Sequence, residues 1–288
     1  ERNMREAALD ISQRLPGRRS ILFAHGVEVV PVKTATLPPA DHTNCYLVGD
    51  PEGDFILVDP ASHLREGMED VAKAVERHKG QLIAIMFTHS HGDHVGDIGL
   101  LREAVDVPIW GSEYTARSVK CDRILTDGET LELGNQAWQV LITPGHHPGH
   151  ICLLGDAGLI AGDMVAGIGT ILIPPHTGDM NVYMEQLERL KNLKPHLLFP
   201  SHGPVIALPI QKFDQYLSHR QARHQSVYEA VHSGIETLSA IARAAYADTP
   251  NAHPGLALDQ TLSHLVSHQR SGTLVEHSSK WFVNDTKP

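Results

Sequence analysis

Cysteine is scarce in this chain: Cys45, Cys121 and Cys152 are the 3 cysteines among 288 residues. An odd, scattered set forms neither a disulfide framework nor a zinc knuckle, and it suits a reducing compartment. No apolar run reaches the length of a membrane span, and no signal-peptide pattern is visible. A cytoplasmic protein with no membrane partner is the expectation. The chain opens on Glu1 rather than Met, which leaves room for a trimmed leader. Positive charge is also short, since the formal net charge is -10. A field of that sign opposes non-specific nucleic-acid binding and offers nothing to a membrane surface. Internal repeats and low-complexity tracts are missing as well.

Histidine, by contrast, is abundant at 20 residues. With so many, a single histidine carries no argument, and only constellations count. The densest is Thr88-His89-Ser90-His91-Gly92-Asp93-His94. Imidazole and carboxylate are costly to bury unless each finds a partner, and a metal ion is the usual partner for such a group. The preceding apolar run, Leu82 to Phe87, reads as a strand buried on both faces. The cluster therefore emerges from the end of a core strand.

Taken in order, the chain repeats that arrangement. A short helix is expected near 4–14 and a strand over 27–32. Thr43 to Gly49 and Phe55 to Asp59 are spaced as a hairpin, with Asp59 just past the second strand. Helical spacing follows over 66–78, then the strand 82–87, then one further helix from Asp93 through Val105. Strands over 107–110, 130–133 and 138–143 come next, with a helical turn near 114–119. The strand ending at Thr143 empties into Pro144-Gly145-His146-His147-Pro148-Gly149-His150. Two strands, 151–154 and 159–161, end at Gly162-Asp163. Residues 181–193 form an amphipathic helix, and the strand 196–199 runs into Pro200-Ser201-His202-Gly203. Separate strands thus each end in a candidate ligand, and strands of one sheet system can bring such ends to one edge.

Beyond residue 212 the character changes. A polar helical stretch covers 213–233, and helical patterns cover 237–247 and 258–269. Runs 273–275 and 281–283 can pair as a small hairpin. Helix, helix and hairpin outline a winged-helix unit. The expected division is a metal-hydrolase domain over 1–212 and a helical, winged-helix-like domain over 213–288.

The residue chemistry allows a two-metal centre. His89 and His91, two apart at a strand exit, can reach one ion, and His146 can complete its set. Asp93 and His94 point to a neighbouring position that His202 can complete. Asp163 can bridge, because a carboxylate has two oxygens. Asp93 and Asp163 are the candidate catalytic carboxylates. Nitrogen-rich open sites suit zinc, with manganese and iron as alternatives. Water on such an ion has its pKa lowered to about 7, so hydroxide between two ions would be the nucleophile. Asp59, Thr88 and His150 are candidates for orienting ligands from behind. His176 and Tyr183 are weaker candidates for touching substrate.

These motifs, in this order, resemble those of the metallo-β-lactamase superfamily. The match runs over roughly residues 27–210. The resemblance implies an α/β fold, a four-layer αββα sandwich. It assigns His89, His91 and His146 to one ion and Asp93, His94 and His202 to the other, with Asp163 bridging. It also matches Asp59 to the family's first-motif aspartate. Lactamases of the commonest subclass carry a cysteine ligand where this chain has Asp163, so antibiotic cleavage is not the expected role. A narrower resemblance rests on Thr43-Asn44-Cys45-Tyr46-Leu47-Val48-Gly49, on Pro174-Pro175 with Gly178-Asp179-Met180, and on the tail. It is to the branch with a C-terminal winged-helix domain, which includes a mitochondrial β-lactamase-like endoribonuclease and bacterial polyketide-releasing thioesterases. Cys45 is a small departure from that pattern. The expected activity is hydrolysis of a small-molecule ester or thioester by two divalent ions. The alternatives are a metal-dependent endoribonuclease acting on single-stranded RNA and a non-catalytic nucleic-acid-binding protein. The tail pattern 258–269 holds no lysine or arginine before Arg270, which disfavours RNA. The sequence leaves the oligomeric state open.

Overall fold

The structure is a computed structural model that describes residues 21–284. The helix expected near 4–14 lies outside the described residues. The chain divides into two compact units. Of the described residues, the first holds those up to Thr143, Gly149–Thr170 and Lys194–Pro209; the second holds Pro144–Pro148, Ile171–Leu193 and those from Ile210 onward.

Two sheets make the first unit. The larger one has seven strands in sequence order. These are β1 (Ile21–Ala24), β2 (Val27–Lys33), β3 (His42–Gly49), β4 (Asp54–Val58), β5 (Gln81–Met86), β6 (Ile109–Gly111) and β7 (Arg123–Ile124). Strands β1 to β4 pair antiparallel, and β4 to β7 pair parallel. The second sheet contains β8 (Thr130–Leu133), β9 (Gln136–Ile142), β10 (Ile151–Gly155), β11 (Gly158–Gly162) and β12 (Leu198–Pro200). They lie in the order β12-β11-β10-β9-β8. One core fills the space between the sheets: Tyr46, Val48, Ile56 and Met86 meet Trp138, Val140, Leu153 and Phe199. The period-2 alternation of β8 and β9 aims one side of each strand there. The larger sheet's other face carries Cys45, Leu47, Phe55, Leu57 and Ile85. They pack against Met68, Val71 and Ala74 of helix α1 (Arg65–Arg77). Met68 and Val71 belong to the apolar stripe expected from the sequence, which continues through Ala72 and Val75; the structure buries Ala74 on that face and leaves Val75 partly buried.

The helix read from Asp93 through Val105 is in fact two, α2 (Gly92–Val95) and α3 (Ile98–Ala104). Gly96 separates them at φ +68, where a side-chain carbon would fall 2.5 Å from the Ser62 carbonyl. Asp97 then caps α3, its side chain accepting from Leu100 N–H.

The second unit contains α4 (Met180–Asn192), α5 (Pro209–His232), α6 (Leu238–Ala245), α7 (Pro254–Arg270) and the antiparallel hairpin β13 (Leu274–His277) with β14 (Lys280–Val283). Helix α7 begins four residues before the expected Leu258, because Pro254 occupies its first turn. Val227, Val231, Ile241, Leu265, Leu274 and Trp281 form this unit's own core.

Between α5 and α7 lies a histidine cluster in which His264 and His268 are buried and His224 is half-buried. His224 and His264 meet through Nδ1 atoms 3.1 Å apart, and the rings of His224 and His268 stack at 3.7 Å. Burial, together with the charge of His268, pushes the His224 pKa down to about 4. Burial, reinforced by the cations Arg220 and Arg223, holds His264 well below the usual range, and burial lowers His268 too. All three have folded pKa values below the unfolded value of 6.5. Unfolding therefore takes up protons as pH falls through that window, and the stability contribution present at neutral pH is lost on acidification. Each histidine contributes a slope of at most about 1.4 kcal/mol per pH unit. Urea midpoints should fall steadily from pH 6.5 toward 4, and His264→Phe should flatten that slope. An unchanged slope in the variant would exclude the cluster as its source.

Candidate metal centre

Asp59 organises the first part of the site. Its backbone leaves β4 at φ 50, a left-handed conformation, and its carboxylate is almost fully buried, at 1% exposed. Thr88 N–H donates to Asp59 Oδ1 at 2.8 Å, and Thr88 Oγ1 donates to Oδ2 at 2.6 Å. His94 Nδ1 donates to the same Oδ2 at 2.8 Å. With its proton committed to Asp59, Thr88 Oγ1 accepts from His89 Nδ1 at 3.0 Å. One carboxylate thereby sets the tautomer of two histidines, directly for His94 and through Thr88 for His89.

His202 is fixed from the other sheet end. Its Nδ1 donates to the carbonyl of His42 at 2.9 Å. Two side chains of β3 hold the loop that carries it. Asn44 Nδ2 donates to the carbonyls of Pro200 and Gly203, both at 2.9 Å, and Tyr46 OH donates to Pro200 at 2.6 Å. Thr43 Oγ1 donates to the Asp93 carbonyl at 2.7 Å. The Thr43–Tyr46 motif therefore braces two candidate ligands. Nothing local in that motif points across some 150 residues to the Pro200 loop.

Asp163 follows β11. The Asp163 N–H donates to His150 Nε2 at 2.9 Å, and His150 Nδ1 bonds Thr143 Oγ1 at 2.7 Å. His150 is fully buried. Gly162 makes room for it: a side-chain carbon there would meet His150 Nε2 at 2.3 Å, and φ is +52. Both facts require glycine.

The side chains converge on Asp163. His94 Nε2 lies 3.4 Å from Asp163 Oδ2, and His202 Nε2 lies 3.4 Å from Oδ1. His89 Nε2 lies 4.0 Å from Asp163 Oδ2. Asp93 approaches His94 at 3.8 Å and His202 at 3.6 Å. His91 Nδ1 stands 2.9 Å from His89 Nε2. Within the first unit, two triads of described residues have ligand atoms all within 4.8 Å of one another: His89, His94 and Asp163, and Asp93, His94 and His202.

This arrangement fits a divalent cation. His94 Nε2 is buried and has no hydrogen-bond partner. Its Nδ1 proton is committed to Asp59, so Nε2 presents a lone pair to two carboxylates. Lone pair against carboxylate is repulsive unless a cation stands between them. The pKa directions express the same field. Burial alone would lower His94, but Asp163 and Asp59 outweigh it and raise it well above the usual range. Burial would raise Asp163, but His94 and His202 hold it well below the usual carboxylate range. His202 is raised too, the Asp163 carboxylate overcoming its burial.

The remaining expected residues belong to the second unit. His146 Nδ1 donates to the Leu172 carbonyl at 2.6 Å, leaving Nε2 to accept. Tyr183 is fully buried on α4, under the guanidinium of Arg220 at 5.6 Å. His176 is exposed in the loop before α4.

The model of the metallo-beta-lactamase superfamily matches residues 38–202, more than half of the chain. The chain belongs to the metallo-β-lactamase superfamily. Members are mostly hydrolases and typically bind two divalent ions. Among curated relatives, the Drosophila melanogaster beta-lactamase-like protein 2 homolog is 29% identical over 249 residues, covering 81% of this chain and 84% of that protein. The lactamase-like protein aptB of Emericella nidulans is 29% identical over 263 residues, covering 85% and 83%. A beta-lactamase domain protein from Burkholderia ambifaria shares the fold. Its TM-score is 0.81 at 22% identity, over 95% of this chain and 96% of that one. The α/β metallo-β-lactamase fold is thereby shown, with mixed sheets and helices. No helix among the described residues is long and apolar enough to cross a membrane.

Proposed function

We propose that the chain is a two-metal hydrolase of a small ester or thioester. The observation that carries this reading is the shared orientation of four imidazoles. His89, His94, His146 and His202 each tie Nδ1 to an oxygen acceptor, which puts the lone pair of each neutral ring on Nε2. The motif order supports His89, His91 and His146 as one set and Asp93, His94 and His202 as the other, with Asp163 shared. Nitrogen-dominated sets of this kind favour zinc over harder ions. Two bound divalent ions would polarise an acyl oxygen and make water acidic enough to attack it near neutral pH. The protein's own part is orientation: Asp59 and Thr88 hold His89 and His94, His150 holds the Asp163 backbone, and β3 holds His202. The helix pair and hairpin of the tail, over 213–288, are proposed as a winged-helix-like domain in a protein of the cytoplasm.

Charge separates the acyl reading from the RNA reading. The net charge is -10, and Arg270, the cation that ends α7, is ion-paired with Asp179 at 2.7 Å. A surface of that composition does not attract phosphates. Zinc-loaded protein should therefore turn over members of a panel of acyl-thioesters, aryl esters and lactones. Chelator should abolish that turnover, and added zinc should restore it. No turnover on the panel, with cleavage of single-stranded RNA by the same preparation, would replace this reading with the endoribonuclease one.

A further inference from the structure

We infer that Arg220, Gln260 and Ser263 of the helical tail are positioning residues for His146. The inference rests on the reading of His146 as a metal ligand. His146 Nδ1 is oriented by the backbone carbonyl of Leu172. Leu172 lies in irregular chain between buried Ile171 and Ile173, where no sheet or helix ladder fixes the backbone. Side chains fix it instead. Gln260 Oε1 accepts from Ile173 N–H at 3.2 Å, and Gln260 Nε2 donates to the Ile173 carbonyl at 2.9 Å. Ser263 Oγ donates to that same carbonyl. Arg220 donates to Gln260 Oε1 at 2.8 Å through Nη1 and to the Ile171 carbonyl through Nη2. The peptides on both sides of Leu172 are therefore held by α5 and α7.

The three side chains are 2%, 6% and 4% exposed, so water cannot substitute for them. A buried polar network of this kind is costlier than apolar packing unless the geometry it specifies is needed. Here it specifies the direction of the Leu172 carbonyl, and through it the ring of His146. The other end of the His146 loop is held in the same unit. Asp179 N–H donates to the Gly145 carbonyl at 2.8 Å. Tyr183 packs so closely that a side-chain carbon on Gly145 would fall 2.4 Å from its Cα.

The test uses the full chain and zinc alone, with binding read by competition against a chromophoric chelator and by the visible spectrum of the cobalt-loaded protein. His146→Ala calibrates the ion that His146 holds. Gln260→Met and Arg220→Met should weaken that same ion by about 10–100-fold and shift its cobalt spectrum, leaving the other ion unchanged. Ser263→Ala, the mildest change, should shift affinity less and in the same direction. Arg223→Met is the control for a lost buried guanidinium on α5: it bonds Asp248 at 3.0 Å and Thr249 at 3.1 Å instead. That variant should lose thermal stability and keep both affinities. Wild-type affinity and spectrum in Gln260→Met, Arg220→Met and Ser263→Ala, beside a lost ion in His146→Ala, would overturn the inference. So would an equal loss of affinity in Arg223→Met, which would mark a general effect of destabilisation. Wild-type binding of both ions by His146→Ala would instead overturn the assignment of His146 as a ligand.

Discussion

Replacing Asp163 with alanine should abolish measurable hydrolysis and lower the bound metal below two ions per chain. Asp163 stands 3.4 Å from both His94 Nε2 and His202 Nε2, and it is 6% exposed. Removing the anion leaves buried cation-binding groups with no compensating charge. That loss is worth about 3–5 kcal/mol, or roughly 10²–10⁴-fold in rate or affinity. Asp163→Asn retains the shape and the His150 bond, which comes from the backbone N–H. It should fold like the native chain and still fail to bind two ions. Metal analysis after gel filtration, beside an ester or thioester assay, checks both. Full activity in Asp163→Asn would show that the reaction does not use this centre.

Asp59→Ala should be the most destabilising single change at the site, although Asp59 is proposed to touch neither metal nor substrate. It removes the acceptor for Thr88 N–H, Thr88 Oγ1 and His94 Nδ1 in one step. Each buried donor left without a partner costs about 1–3 kcal/mol. A total of about 3–5 kcal/mol is expected, the range for breaking a buried charged contact. The tautomers of His89 and His94 would be released together, so metal affinity should fall about 10–100-fold as well. Thr88→Val removes the link to His89 alone and should lower metal affinity with a smaller loss of stability. Urea unfolding and chelator competition on the two variants check that ordering. Equal effects from both would mean that Asp59 acts through Thr88 alone and that its direct bond to His94 contributes nothing.

The strands and their ends were legible because their signals are local. An apolar run such as Leu82 to Phe87 followed by Thr-His-Ser-His announces both a core strand and a cluster at its exit. The period-2 strands 130–133 and 138–142, the α1 stripe and the 273–283 hairpin were readable for the same reason. The break between α2 and α3 was not, because apolar spacing continues across Gly96 and the contact that breaks it comes from Ser62, more than thirty residues earlier. The early start of α7 has a local signal in Pro254, four residues ahead of the apolar pattern that begins at Leu258. The roles of Thr43 and Asn44 and the clasp on Leu172 depend on pairings between residues far apart in sequence. Their side chains are ordinary polar ones, and only the folded chain shows which carbonyls they reach.

The unit boundaries bear on how this protein can be recombined. The loop Pro144–Pro148 and the segment Ile171–Leu193 group with the tail from Ile210, not with the strands that flank them in sequence. A chimera cut at a single point near residue 210 would therefore inherit a foreign clasp around its own Leu172. A working exchange with a relative should instead swap three segments together: 144–148, 171–193 and the tail. Crossover designs that respect this interleaving should keep the histidine of the Pro-Gly-His loop seated; designs that treat the tail as an appendage should yield folded proteins short of one metal.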